Sequence, residues 1–291
     1  MEIGTFLRCM GLAAGMLMPS QLFALTYTSD DSVRVVRLLE EAGRQPGGTD
    51  WTLFFARKFL GTPYVASTLE VNRQEDLVVN LREVDCTTLV ENVVALTLTV
   101  GEPHPDFAAF CRNLERIRYN GGVMDGYASR NHYFSEWIES NERLGLVEEV
   151  HGDSDEGYRP FVGVQVLDLN YMSTHPEAYP MLKGRTGEMR HIRDNERRME
   201  GKTVRYVPAS WLNRGKEVLG DAIHDGDILA IVTRKKGLDT SHLGFAVWKG
   251  GRLHLLNASS IHKKVVLEPM TLWQYMKKHP SQLGVRVIRL I

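Results

Sequence analysis

The sequence predicts an α+β fold, and three observations carry that expectation. Helical apolar spacing dominates the first half of the chain, to about residue 122. Alternating, β-rich runs dominate from residue 161 onward. No internal repeat or low-complexity linker divides the two halves, so residues 25–291 read as a single domain with insertions.

The elements follow in order. "SDDSVRVVRLLEEAGRQPGG" (29–48) is a helix with an Asp/Ser-rich start and a Pro-Gly-Gly stop. "TDWTLFFARKFLG" (49–61) is a second, capped by Thr49 or Asp50, with Trp51, Phe54, Phe55 and Phe59 at core spacing. "TPYVAS" (62–67) turns into extended chain. The next helix carries Cys86, and Leu89, Val90, Val93, Val94 and Leu96 mark it as mostly buried. A further helix in 104–122 ends at Gly121 and Gly122 and places Cys111 on the face of Phe107 and Leu114, as a small core hydrophobe. Strand signals then occupy 161–172, 202–210 and 226–234. "SHLGFAVWKGGRLHLLNAS" (241–259) is a hairpin closed by a Gly-Gly pair. Strands in 263–270 and 284–291 flank a last helix in 270–279, completing an antiparallel meander.

At 291 residues, with 43% hydrophobic and 24% charged residues and a net charge of −1, the chain buries a sizeable core. That charge balance excludes a general nucleic-acid binder, and the composition excludes disorder. Residues 1–24 combine Arg8, a short apolar run and a small residue at Ala24, the pattern of a cleaved secretory signal. No integral membrane segment is expected beyond it. Cys86 and Cys111 would remain as the only cysteines, and both are expected as free thiols.

A cysteine in the first helical turn sits where unpaired amides and the helix dipole favour the thiolate, which predicts a lowered pKa for Cys86. Amide hydrolysis also needs a base, and a polar group to hold that base in one tautomer. The hairpin supplies both. His242 begins its first strand and Asn257 lies late on its second; their midpoint falls in the turn, so they sit roughly opposite each other.

"LGTPY" (60–64), "VDCTTLV" (84–90), "HDGDILAI" (224–231) and the hairpin run in an order that resembles the NlpC/p60 cysteine-peptidase superfamily. The resemblance implies a papain-like core in which a helix-start cysteine packs on an antiparallel sheet. It implies Cys86 as nucleophile, His242 as base and Asn257 as the orienting residue, with Tyr64 and Asp85 helping to bind substrate. Thr87 after the cysteine, the long insertion, and "SRNHYFSEWI" (129–138) resemble the N-acetylmuramoyl-L-alanine amidase-like branch. That branch implies a periplasmic or secreted amidase with no cofactor. Its partners would be peptidoglycan fragments, notably 1,6-anhydro-muropeptides, cut between the muramyl lactyl group and L-Ala. Three other readings stay open: an endopeptidase cutting between D-Glu and the diamino acid of the stem, a catalytically silent muropeptide-binding module, and an acyltransferase, since related folds transfer acyl groups.

"DGYASRNHYFSEW" (125–137) is either a polar helix cap or a sugar and carboxylate recognition patch, with Arg130 pairing an anion beside His132 and Tyr133. The charged run 183–202 interleaves both signs and reads as a self-paired, solvated helix or lid. "HGDSDEG" (151–157) lacks EF-hand spacing and reads as a solvated turn. The histidines form no metal-binding motif, so no metal is expected.

Overall fold

The computed structural model describes residues 25–151 and 159–291, so the signal reading of 1–24 and nearly all of the 151–157 turn lie outside the described residues. The chain begins with β1 (Leu25–Thr26), α1 (Ser29–Ala42) and α2 (Trp51–Lys58), followed by β2 (Leu77–Val78), which pairs in parallel with β1. Then come α3 (Cys86–Val100), α4 (Phe107–Arg118), α5 (Phe134–Arg143), β3 (Val147–Val150) and β4 (Gly163–Val166). The short α6 (Tyr171–Thr174) and α7 (Thr186–Met199) lead to β5 (Thr203–Pro208), α8 (Lys216–Leu219) and β6 (Ile228–Thr233). The hairpin of β7 (Thr240–Lys249) and β8 (Arg252–Ser259), then β9 (Lys264–Leu267), α9 (Leu272–Lys277) and β10 (Gln282–Leu290), complete the chain. This is the expected mixture of helix and antiparallel sheet. No helix among the described residues is long and apolar enough to cross a membrane.

The main sheet runs β4-β5-β10-β6-β7-β8-β9, with β3 also pairing β10. It departs from a simple meander because the C-terminal strand inserts between β5 and β6. Side-chain alternation divides the central strands between two cores. On one face Ile228, Ala230, Phe245, Leu256 and Ile288 meet the helices α1 to α4. On the other Leu229, Ile231, Leu255, Val285 and Val287 pack on Leu272, Tyr275 and Met276 of α9. Burial on both faces explains why β6 reads "ILAIVT", a continuous apolar run.

The insertion between α4 and the sheet builds a third core from Tyr127, Tyr133, Met172, Leu182, Ile192 and Met199. Here α7 differs from a wholly solvated helix. Asp194 and Arg197 do pair on its outer face at 3.1 Å, but Ile192, Glu196 and Met199 are buried beneath it. This small core packs beside the start of α3 and walls the site described next.

Candidate active site

Helix α3 starts at Cys86 because Asp85 caps it. The Asp85 carboxylate accepts the Thr88 N–H at 2.8 Å, and the Asp85 N–H donates to the Thr88 hydroxyl at 2.9 Å. The helix packs on β7 and β8. Its first turn meets the start of β7, where the Leu243 backbone and Thr87 are hydrogen-bonded toward Cys86 Sγ. Cys86 stays partly exposed.

His242 follows directly on an irregularity in β7. Ile231 pairs with His242 but Val232 pairs with Thr240, leaving Ser241 as the extra residue of a bulge. The β7–β8 ladder pairs Phe245 with Leu256 and Lys249 with Arg252, so the next position along sets Asn257 against Gly244. Asn257 is therefore the diagonal neighbour of His242 on the same face rather than its direct partner. A Cβ at residue 244 would lie 2.7 Å from the Leu256 carbonyl oxygen, so glycine is needed there for the strands to approach. Across that gap His242 Nε2–H donates to Asn257 Oδ1 at 2.9 Å. This sets the tautomer and leaves Nδ1 with its lone pair.

Cys86 and His242 line one cavity of about 200 Å³, together with Thr87, Asn131, His132, Tyr133, Tyr179 and Asp239. Contrary to the helix-start expectation, burial and then the Asp85 charge push the Cys86 thiol up to about 12. Burial also holds His242 below the ordinary imidazole range, although its bond to Asn257 pulls the other way. Both shifts favour the neutral thiol and the neutral imidazole over the ion pair. Tyr275 stacks with His242 at 6.5 Å and also packs against His279 at 4.4 Å.

The remaining candidates divide. Tyr64 lies in the neighbourhood of Cys86 and Asp85, bridging to Val84, but lines neither this cavity nor the one beside it. Asp85 is engaged as the cap. Arg130 is already neutralised, 2.6 Å from Glu75 and 2.9 Å from Glu70, so its fork is not free for a substrate anion. His132 donates from Nε2 to the Tyr127 carbonyl at 2.9 Å, and burial, with Arg130 nearby, lowers it to about 3. The Tyr133 hydroxyl donates to Glu196 at 2.7 Å and accepts from the Met172 N–H, tying the third core together.

Sequence reasoning passed over Asp239 and Tyr179. Asp239 ties α5 to the start of β7, accepting the Ser135 N–H at 2.6 Å and the Thr240 N–H at 2.7 Å. Its place three residues before His242 was the available signal. Tyr179 lies in the insertion and carries no local motif.

The site thus places a helix-start thiol in one cavity with a strand-borne imidazole and its amide partner, within an α+β fold. The model of the AmiA-like family, described as N-acetylmuramoyl-L-alanine amidase-like, matches residues 54–285, and the chain belongs to that family. A solved N-acetylmuramoyl-L-alanine amidase from Bacteroides uniformis is similar at 39% identity and a TM-score of 0.75, covering 83% of this chain and 97% of that one. A candidate xylanase from Bacteroides fragilis is 42% identical, with a TM-score of 0.73, over 81% of this chain and 99% of its own. A Legionella pneumophila protein shares the fold at 21% identity and a TM-score of 0.67, over 90% and 95% of the two chains. Among curated proteins, none matches this chain.

Proposed function

We propose that the chain is a periplasmic or secreted cysteine amidase of the NlpC/p60 type. It hydrolyses the amide between the N-acetylmuramoyl lactyl group and L-Ala in peptidoglycan fragments, with 1,6-anhydro-muropeptides as preferred substrates. The observation that carries this reading is the shared cavity of Cys86 and His242, with His242 held by Asn257 at 2.9 Å. Family membership and the similarity to a named amidase support the choice of bond.

In this mechanism His242 Nδ1 takes the thiol proton as Cys86 Sγ attacks the lactyl carbonyl carbon. The Asp85 carboxylate occupies the Thr88 N–H and the Thr87 backbone is hydrogen-bonded toward Cys86 Sγ, so the Cys86 N–H is the donor left at the helix start for the developing oxyanion. The imidazolium returns its proton to the L-Ala nitrogen, and the amine departs as the C–N bond breaks. Water, deprotonated by His242, then attacks the thioester and frees the lactyl carboxylate and the thiol. Asn257 accepts the Nε2–H throughout.

Mass spectrometry of an anhydro-disaccharide tetrapeptide incubated with wild type and with Cys86→Ala tests this. Free disaccharide plus intact tetrapeptide from wild type alone is expected, with Cys86→Ala slower by about three orders of magnitude or more. A disaccharide still carrying L-Ala–D-Glu would move the cut to the stem. Retention without cleavage by either protein would make the chain a binding module.

A further inference from the structure

A second cavity of about 210 Å³ adjoins the first and shares Thr87, Asn131, His132 and Tyr179 with it. Its remaining lining includes Glu70, Asp85, Glu91, Tyr127, Arg130 and Ala178. Counting the ion-pair partners behind this wall, four carboxylates (Glu70, Glu75, Asp85 and Glu91) meet two guanidinium groups, Arg118 and Arg130. The unsatisfied groups are acceptors. Glu70 Oε2 and Asn131 Oδ1 have no hydrogen-bond partner, although Asn131 is 5% exposed and its Nδ2 is used on the Ile117 carbonyl. His132, with its proton committed at Nε2 to the Tyr127 carbonyl, offers a lone pair at Nδ1. Half-buried Tyr179 adds an aromatic surface at the junction, with Pro180 beside it.

Resting on the amidase reading above, we infer that this second cavity is the sugar-side subsite, holding the neutral N-acetylated amino sugar while the anionic stem peptide leaves by another route. A wall of acceptors with surplus negative charge suits hydroxyl and acetamido N–H donors and an aromatic face suits the sugar ring. The same wall repels a stem whose carboxylates outnumber its ammonium groups. This also accounts for Arg130. Its two carboxylate partners cancel the charge that would otherwise draw the stem into this cavity.

Ala178 is exposed and lines only the second cavity, so Ala178→Trp fills the cavity without disturbing the core. Steady-state kinetics would compare wild type and this variant on the anhydro-disaccharide tetrapeptide and on a sugar-free lactoyl-tetrapeptide bearing the same amide. A tenfold or greater loss of kcat/KM confined to the sugar-bearing substrate, mostly in KM, is expected. Equal losses on both substrates, or none on either, would overturn the assignment. Diacetylchitobiose titrated into Cys86→Ala protein by NMR gives a readout that does not need turnover. It is expected to shift resonances of Tyr127 and Tyr179, and to lose that effect with Ala178→Trp. If those resonances respond instead to free L-Ala–D-Glu–diamino-acid peptide and not to chitobiose, the cavity takes peptide and the inference fails. Sugar binding without any cleavage would sink the amidase reading while leaving the subsite standing.

Discussion

At Cys86 two influences on a helix-start thiol oppose each other. The dipole and free amides of the first turn favour the thiolate, whereas burial and the adjacent Asp85 carboxylate favour the thiol and prevail, at about 12. That balance disfavours a preformed thiolate–imidazolium pair. His242 must be neutral to accept the proton, and its pKa lies below the usual value of about 6.5. The expected kcat/KM profile rises with pH on an acid limb below 6.5 and is flat through neutrality. A bell-shaped profile whose alkaline limb falls near pH 8, as an imidazolium loses its proton, would instead report an ion pair and contradict the neutral pair. Alkylation of Cys86 by iodoacetamide at pH 7 should be slower than that of a free thiol. Asn257→Ala removes the group that fixes the imidazole tautomer. It should cost about a hundredfold in kcat with little change in KM, and Asn257→Gln or →Asp should recover part of the loss.

Among the elements, α3 carries the chemistry and its capping residue has two effects. Asp85→Ala removes a side-chain cap and should cost about 1 kcal/mol of stability in urea unfolding. Asp85→Asn keeps an oxygen for the Thr88 N–H but deletes the charge that raises the thiol pKa. Faster alkylation of Cys86 in Asp85→Asn, with stability near wild type, would separate the two effects; an unchanged alkylation rate would remove the electrostatic one. Helix α3 is held to α4 by the Arg118–Glu91 pair at 2.7 Å, both side chains 2% exposed, and Arg118 also reaches the Val78 carbonyl at β2. Arg118→Met leaves a buried carboxylate alone and should cost about 3–5 kcal/mol, whereas the double variant with Glu91→Leu should recover much of that. Chemical denaturation of the three variants distinguishes this from simple loss of packing.

At the scale of the molecule, the packing of α7 over α5 buries a further titratable group. Glu136 is buried below α7 and its carboxyl is raised by that burial to about 7, with Arg198 only 3.9 Å away as partial compensation. A carboxyl raised from its unfolded value of 4.5 binds more protons in the folded state between the two values. Its contribution is therefore fully present below pH 4.5 and is lost as pH rises through about 7. Glu136→Gln should flatten that part of the Tm-versus-pH curve, so that wild type falls relative to the variant between pH 4.5 and 7. Parallel curves would show that folding does not raise the Glu136 carboxyl.

Much of this architecture was legible in local sequence. The Asp50 cap of α2, the buried face of α3 and the Gly-Gly hairpin depend on contacts within a few residues and appear where expected. So does the proximity of residues 242 and 257, because a hairpin turn sets its own register. By contrast, α1 is capped by Thr28 and ends at Ala42, before the Pro-Gly-Gly, and α2 ends at Lys58, before Gly61. The insertion of β10 between β5 and β6, and the pairing of β3 with it, were not legible, because strand order depends on contacts between residues far apart in sequence. For the same reason 183–202 read as a solvated helix, when its inner face covers a third core. The sequence by itself determined which residues carry the candidate chemistry: a thiol at a helix start, an imidazole on a strand and an amide across the hairpin. Only the tertiary structure decided their electrostatic state, as it did for Arg130, bound between Glu70 and Glu75. Burial and the approach of remote charges set a pKa, and neither is a property of neighbours along the chain.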